Sequence, residues 1–387
     1  MRCNMPSDTK PRSNIGAVVE HSTPHFTRVE LNNFRGCEHV ALDDLAPVSI
    51  LTGANGSGKT TFLEAIWLLA GLTSAGLIEP IARARGLVSG HGSDLMFTTI
   101  FMNMNPENEA ELIARQGSGE TAVERRLTIS AIERPAYLDV LPGVPRVIGL
   151  ALRGSILDKS YRTEINWQQA GDSSSPELVP LGAPDPSSGL VLAASPWRPH
   201  DHWIHAAYLR PMWRAPGRIA ELVSDARRRR THRRLVDLLR LVEPRVVDVE
   251  ALPNGSGFPV VYVDLGNGPL LPAPVLGSGF CNFLDIAVWM AIGEARIVLI
   301  DEIEDGLHYT VLPKIAEALI KLVSERGIQV FVTTHSKDAV QAFALAGTEH
   351  PNSVVFYNLV RSREGHEAVR YTVEEVSTLL KIGSDVR

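Results

Sequence analysis

Short apolar runs alternate along this chain with stretches of helical period, and that alternation predicts an α/β fold with a mixed, largely parallel sheet. Thr27 to Leu31 alternates like a strand, and Val40 to Leu42 is a candidate partner for it. Val48 to Thr52 is a short apolar run that ends directly in a glycine-rich loop. Behind that loop Phe62, Ile66 and Leu69 share one face of a predicted helix. Met96 to Phe101 and Arg126 to Ala131 are further strand candidates. Past residue 255 the alternation resumes with a strand over Val260 to Asp264 and a helix over Phe283 to Ala291. Ile297 to Ile300 is wholly apolar, as a strand buried on both faces would be. A helix from Pro313 to Glu325, strands at Val330 to Thr334 and Val354 to Tyr357, and a short helix over Val373 to Ile382 complete the pattern.

Composition and turn residues divide this pattern into parts. Residues 1–25 are polar and read as a flexible tail, while 26–70 and 255–387 carry the strand–helix core. Residues 71–254 read as an insertion: strands, a Pro- and Ser-rich irregular loop between Gly171 and Asp201, and a basic helical lid over Ile219 to Val242. The chain is 44% hydrophobic and 21% charged, enough for an ordinary core. Its net charge of −6 means that any nucleic acid must be held by a local patch. Arg227 to Arg230 with Arg233 and Arg234 is the candidate, with a solvated helix face as the alternative. Cys3, Cys37 and Cys281 form no CxxC pair, which fits a reducing cytoplasm better than a disulfide scaffold. No apolar run reaches the roughly 18 residues of a membrane span.

The chemistry begins at the glycine loop. Gly53-Ala-Asn-Gly-Ser-Gly58-Lys59-Thr60 matches the phosphate-loop pattern GxxxxGK[ST] at every fixed position, between a strand and a helix. Backbone N–H groups of Gly53, Asn55, Gly56, Ser57, Gly58, Lys59, Thr60 and Thr61 are expected to cradle the phosphates of ATP. Lys59 supplies a point charge, and the Thr60 hydroxyl is expected to ligate Mg2+. Asp301, at the end of the apolar strand, is the second expected metal ligand. Glu302 beside it can orient and deprotonate a water. His335, in Thr333-Thr-His335-Ser336, ends another buried strand and can reach the terminal phosphate. Gly277-Ser278-Gly279 opens the helix before Asp301; it reads either as a second anion site or as an ordinary helix cap.

The order of phosphate loop, glycine-serine signature, Asp-Glu strand and histidine resembles the ABC-type ATPases of the SMC and RecF kind. Val29-Glu-Leu-Asn-Asn-Phe34-Arg35-Gly36 is similar to their opening strand and turn. Asp301-Glu-Ile-Glu-Asp-Gly-Leu-His308 looks like the AAA-family ATPases related to the overcoming-lysogenization-defect proteins, which belong to bacterial anti-phage and repair systems. The likeness covers 26–70 and 255–387 and is loose between them. It implies an ABC/SMC-type head in which Gly277, Ser278 and Gly279 contact ATP bound to a second copy. It also implies that Arg35 lies near the nucleotide, and that catalysis falls to Glu302, His335 and Lys59. The signature here is Leu-Gly-Ser-Gly-Phe instead of Leu-Ser-Gly-Gly-Gln, and Gln116, Gln168 and Gln169 are the candidates for a magnesium-sensing glutamine.

The expectation is therefore a cytoplasmic, Mg-dependent ATP hydrolase whose output is a conformational switch. A nuclease domain is not expected after His335, so the first reading is an anti-phage defence ATPase that controls a separate effector, a nuclease or toxin. The alternative is a DNA-repair ATPase gripping nucleic acid through Arg227–Arg234. A transporter's nucleotide-binding subunit is the third reading, disfavoured by Phe34-Arg35-Gly36 and the Asp-Gly-Leu-His tail.

Overall fold

The computed structural model describes residues 25–87, 95–117, 119–133, 146–169, 179–180, 190–194, 202–210, 216–253, 255, 259–363 and 365–383. The expected tail and most of the proline-rich segment fall outside them.

Along the chain, β1 (Phe26–Phe34), β2 (Cys37–Asp43) and β3 (Val48–Thr52) lead into α1 (Lys59–Gly71), followed by the short helices α2 (Ile78–Ala84) and α3 (Leu95–Thr98). Then come β4 (Ala110–Gln116), β5 (Val123–Glu133), β6 (Val147–Ile156), β7 (Lys159–Gln169), β8 (Val179–Pro180), β9 (Leu190–Ala194) and β10 (Ala206–Leu209). Helices α4 (Pro216–Arg228) and α5 (His232–Leu239) precede β11 (Asp248–Pro253), β12 (Pro259–Asp264), β13 (Leu271–Pro272) and α6 (Ser278–Ile292). Next are β14 (Ile297–Ile300), α7 (Leu312–Arg326), β15 (Gln329–Thr333), α8 (Lys337–Gly347), β16 (Val354–Arg361), β17 (His366–Tyr371) and α9 (Val373–Lys381).

The strands form three sheets. The central one has the order β10-β14-β15-β3-β16-β17, parallel except for its last pair. It is the mixed, largely parallel sheet expected. Its strands β14, β15 and β3 are buried on both faces: Ile297 and Leu299 point into one core while Val298 and Ile300 point into the other. Helices α6, α7 and α8 cover one face, and α1 covers the opposite one. Beyond α1 lies a second, antiparallel sheet, β2-β1-β4-β5-β6-β7-β9-β8, so α1 is clamped between two sheets. That explains why α1 is apolar nearly all round, with Phe62, Leu63, Ala65, Ile66, Leu68 and Leu69 all buried.

Two expectations change, and a third gains detail. Residues 71–254, expected as an insertion of strands, irregular loop and basic helical lid, join the sheets of the core: β4 pairs with β1 across Val29↔Ala114, and β10 pairs with β14 across Tyr208↔Leu299. The segment contributes to both sheets of the head, because neither β1 nor β14 would otherwise have a partner on that side. Met96 to Phe101 is no strand. Residues Leu95–Thr98 form a helical turn that buries Met96 and Phe97, and Phe101 makes a single bridge to Phe34. Ile219 to Val242 is two helices. Arg230 takes a left-handed φ of 60°, which ends α4 and lets α5 bury Leu235, Val236 and Leu239 in the same core.

One side chain ties the antiparallel sheet to the parallel one. Fully buried Gln329 accepts a hydrogen bond from Phe26 N (2.8 Å) and donates to Phe26 O (2.8 Å) and Ala46 O (3.2 Å). Gln329→Leu strands these buried backbone groups and is expected to lower stability by about 1–3 kcal/mol, read from the urea midpoint. A loss below about 0.5 kcal/mol, the level of an ordinary surface change, would mean that the clip is dispensable.

Candidate functional site

The parallel register brings the ends of β3, β14 and β15 to one edge of the sheet, and the candidate residues gather there. The loop after β3 needs its glycines. Gly53 has φ 134°, and a Cβ there would sit 2.4 Å from Leu359 O. Gly56 and Gly58, at φ 79° and 99°, are also left-handed. Gly58 is the N-cap of α1 and offers no side chain to its first N–H groups, which leaves them for an anion. The buried Ser57 hydroxyl has no hydrogen-bond partner among the described residues, a polar atom that a phosphate would satisfy. Lys59 Nζ donates to Gly53 O (2.6 Å) and Ala54 O (3.0 Å). Burial pushes its ammonium below the usual value, and Glu302, Asp301 and Glu304 oppose that shift.

Asp301 is buried at the end of β14, beside α1. Thr60 Oγ1 lies 3.1 Å from both of its carboxylate oxygens, and Thr333 Oγ1 donates to Asp301 Oδ1 at 2.6 Å. A hydroxyl and a carboxylate this close offer the hard oxygen donors that suit Mg2+. Thr333 also accepts from Glu302 N at 2.8 Å, which holds the acidic pair at both positions. Glu302 has a left-handed φ of 52° and is exposed, so its carboxylate is presented to the cleft instead of the core.

Above this edge lies a cleft of about 690 Å3, within the roughly 300–1,000 Å3 of small-molecule sites. Asn55, Gly56, Gly58, Lys59, Thr60, Thr61, Arg35 and Glu302 line it, together with Arg85, Arg210, Arg361 and His366. Six cationic or titratable basic groups against one carboxylate make it suited to a polyanion. Cys37 forms part of its wall, and burial pushes that thiol up to about 11.

Under the cleft floor, Glu64 is fully buried one helical turn after Thr60. Arg35 Nε lies 2.6 Å from Glu64 Oε2, while Arg85 donates to both carboxylate oxygens at 2.8 and 3.0 Å. Arg210 Nη1 approaches Glu64 at 3.5 Å, and its Nε lies 3.4 Å from Asp301.

The family described as "AAA domain, putative AbiEii toxin, Type IV TA system" matches residues 48–340. The chain belongs to this family. An "ATP/GTP phosphatase" of Helicobacter pylori is 20% identical to the AAA chain over 336 residues, 81% of this chain and 86% of that protein. A stretch of 45 residues is 53% identical to the "DNA replication and repair protein RecF" of Nitrosococcus oceani, and it spans 12% of each chain. Two solved structures share the fold. An Smc head domain with an extended coiled coil, bound to the C-terminal domain of ScpA from Pyrococcus furiosus, has a TM-score of 0.53 at 13% identity over 93% of this chain and 99% of that one. A second, an SmcHead bound to the C-winged helix domain of ScpA, has a TM-score of 0.52 at 14% identity over 92% and 100%.

Within the AAA domain the signature stands apart from the phosphate cleft. Gly277, at φ 95°, and Ser278 are exposed at the start of α6. Gly279 is pressed against the acidic turn, where a Cβ would fall 1.7 Å from Gly306 O. Asn282 Nδ2 donates to Asp305 O at 2.9 Å and so joins α6 to the same turn. His335 is engaged by Glu304. Its N donates to Glu304 Oε1 at 2.8 Å and its Nδ1 lies 3.1 Å from that oxygen, because Glu304 follows the turn back toward β15. Arg35 lines the cleft, but its guanidinium is committed to Glu64 below. Gln116, Gln168 and Gln169 lie in β4 and β7 of the antiparallel sheet, and the chain end beside Asp301 carries Arg210 instead.

Four of the six arginines at Arg227–Arg234 are paired: Arg227 with Asp248 and Glu250, Arg228 with Asp225, Arg229 with Glu294 and Arg234 with Glu325. Among the described residues, Arg230 and Arg233 alone of this group have no ion pair. No described helix is long and apolar enough to cross a membrane. Glu64, Arg85 and Arg210 stand outside every motif read from the sequence, whereas Thr333 and Glu304 enter it only as members of the Thr333–Ser336 and Asp301–His308 runs. Of the first three only Glu64 carries a signal, its four-residue spacing from Thr60 on the helix.

Glu64→Ala removes the carboxylate that holds two tightly bound guanidiniums and is expected to cost about 3–5 kcal/mol in chemical denaturation, as breaking a buried pair does. A loss under about 1 kcal/mol, the range of an exposed pair, would show that the cluster is not what orders Arg35 and Arg85.

Proposed function

We propose that the chain is an ATP-hydrolysing switch that works as an ATP-bridged pair and controls a separate effector protein in a bacterial defence or toxin–antitoxin system. The observation that carries the chemistry is the convergence of Thr60, Asp301, Thr333 and Glu302 at the mouth of a glycine-rich phosphate loop. Family membership and the name of the Helicobacter pylori relative support a nucleoside triphosphate as substrate.

The amides of the loop and Lys59 bind the β and γ phosphates. Thr60 and Asp301 would hold Mg2+, which would neutralise phosphate charge when bound. Glu302 accepts the proton of a water whose oxygen attacks the γ phosphorus as the bond to the β-phosphate oxygen breaks, giving ADP and inorganic phosphate. His335, braced by Glu304, reaches toward the terminal phosphate. In one copy Ser278 is exposed and away from the cleft, which supports a site completed by Gly277–Gly279 of a second copy. The contact between Gly279 and Gly306 then ties that distant surface to Glu302 through the acidic turn. Smc heads bound to ScpA domains support a separate protein partner, and the toxin–antitoxin description of the family supports defence as the setting.

The 53% identity to RecF over 45 residues favours a second reading, a DNA-repair ATPase. The internal pairing of most of Arg227–Arg234 weighs against it, since paired arginines release fewer counterions from DNA.

Lys59→Ala is expected to weaken ATP binding at least ~100-fold, the equivalent of a lost charge-assisted contact to phosphate. Glu302→Gln should bind ATP normally, lose ~10²–10⁴-fold in turnover and run as a dimer with ATP in size-exclusion chromatography. Normal turnover in Glu302→Gln would remove it from the role of base.

A further inference from the structure

Arg210 follows the last residue of β10, and its place is fixed from the backbone side. Asp301 N donates to Leu209 O at 2.9 Å, so the stem of Arg210 is held to the strand that carries the metal-binding acid. The Tyr208 ring lies 5.5 Å from its guanidinium. The head itself is loosely held. Arg35 and Arg85 lie 2.6 and 2.8 Å from Glu64, yet Arg210 is 3.5 Å from Glu64 and 3.4 Å from Asp301. Those are the longest of the contacts in this cluster, at or beyond the usual length of a charge-assisted hydrogen bond. Glu64 already has both oxygens engaged by Arg85, so Arg210 is the surplus cation. It lines the phosphate cleft with Lys59 and Glu302, and it also lines a small cavity between Asp301 and α6.

We propose that Arg210 is an exchangeable counter-cation: it neutralises Asp301 before metal and nucleotide bind, and moves to the terminal phosphate when they do. This rests on the reading of Thr60 and Asp301 as the metal site. The charges dictate the exchange. Buried Asp301 cannot stand uncompensated, and Arg210 supplies the nearest guanidinium. Thr60 and Asp301 would hold a divalent ion, and its charge would neutralise that carboxylate and release the guanidinium from it. The same event places a γ phosphate in the cleft that Arg210 lines, where its planar fork suits phosphate oxygens. Arg210 thus couples metal occupancy to transition-state stabilisation from within the same chain.

The test compares the full chain with Arg210→Ala and Arg210→Lys. With no nucleotide present, Mn2+ binding read by electron paramagnetic resonance should tighten roughly 10-fold in Arg210→Ala, because the competing cation is gone; second-sphere changes at metal sites act on this scale. Arg210→Lys keeps the charge and should stay near the wild type in this measurement. With ATP and Mg2+, kcat should fall at least ~100-fold in Arg210→Ala, the lower range of a lost transition-state arginine. Fluorescent-ATP affinity in EDTA should change less than about 3-fold, since the ground-state loop contacts remain. Unchanged Mn2+ affinity, or kcat within about 3-fold of wild type, overturns the proposal, as both follow from the exchange. Parallel loss of ATP affinity and of the folded state also overturns it, leaving Arg210 as a brace for Glu64. If the wild type shows no Lys59-dependent hydrolysis, the ATPase reading fails, and the Mn2+ measurement still decides the counter-cation role.

Discussion

The hydrogen bond of 2.6 Å from Thr333 Oγ1 to the Asp301 carboxylate joins the ends of β14 and β15, and the site is organised around it. The same hydroxyl accepts from Glu302 N, so one threonine sets both acids. Thr60 meets Asp301 from the other side at 3.1 Å, because β15 lies between β14 and β3 in the sheet and α1 starts beside it. Burial of the three strands on both faces keeps these ends from sliding past one another. Shifting one strand by a residue would exchange the residues between the two cores, which is why the geometry of the acids is so firmly specified.

Charge follows from this packing. The cleft needs cations to receive a polyphosphate, yet cations crowded at the buried edge of a sheet repel one another. Glu64, fully buried on α1, offsets Arg35 and Arg85 and leaves Arg210 over. Lys59 bends back to two loop carbonyls in the meantime. The chain thereby keeps a strongly basic cleft in which the guanidiniums of Arg35 and Arg85 each face a buried carboxylate. The basic helices α4 and α5 manage their charge differently, by surface pairs with Asp225, Asp248, Glu250, Glu294 and Glu325, each worth little to stability.

Much of the site was legible beforehand because phosphate loops and acid-tipped strands depend on local order. Gly53 to Thr60, Asp301 and Glu302 lie where short motifs put them, and the parallel sheet follows from apolar runs such as Ile297 to Ile300. What stayed hidden depends on contacts between distant segments. Arg210 lies 91 positions before Asp301 in a stretch without pattern, and nothing local marks the end of β10 as the neighbour of β14. Glu304 claims His335 only because the turn after Glu302 curls back. The extent of the second sheet is hidden for the same reason: β4 alternates as a strand should, but nothing local marks β1 as its partner. Met96 and Phe97 suit a buried helical turn as well as a strand, and packing against β6 decides between them.

If ATP and magnesium bind at Thr60 and Asp301 and a second copy closes the site with Ser278, a crystal structure of Glu302→Gln with ATP and Mg2+ will show it. Expected are two copies facing head to tail, magnesium between Thr60 and Asp301, and the γ phosphate touched by Lys59 from one copy and Ser278 from the other. Nucleotide bound away from the Gly53–Thr60 loop, or held there by a single copy with Ser278 in solvent, would contradict it.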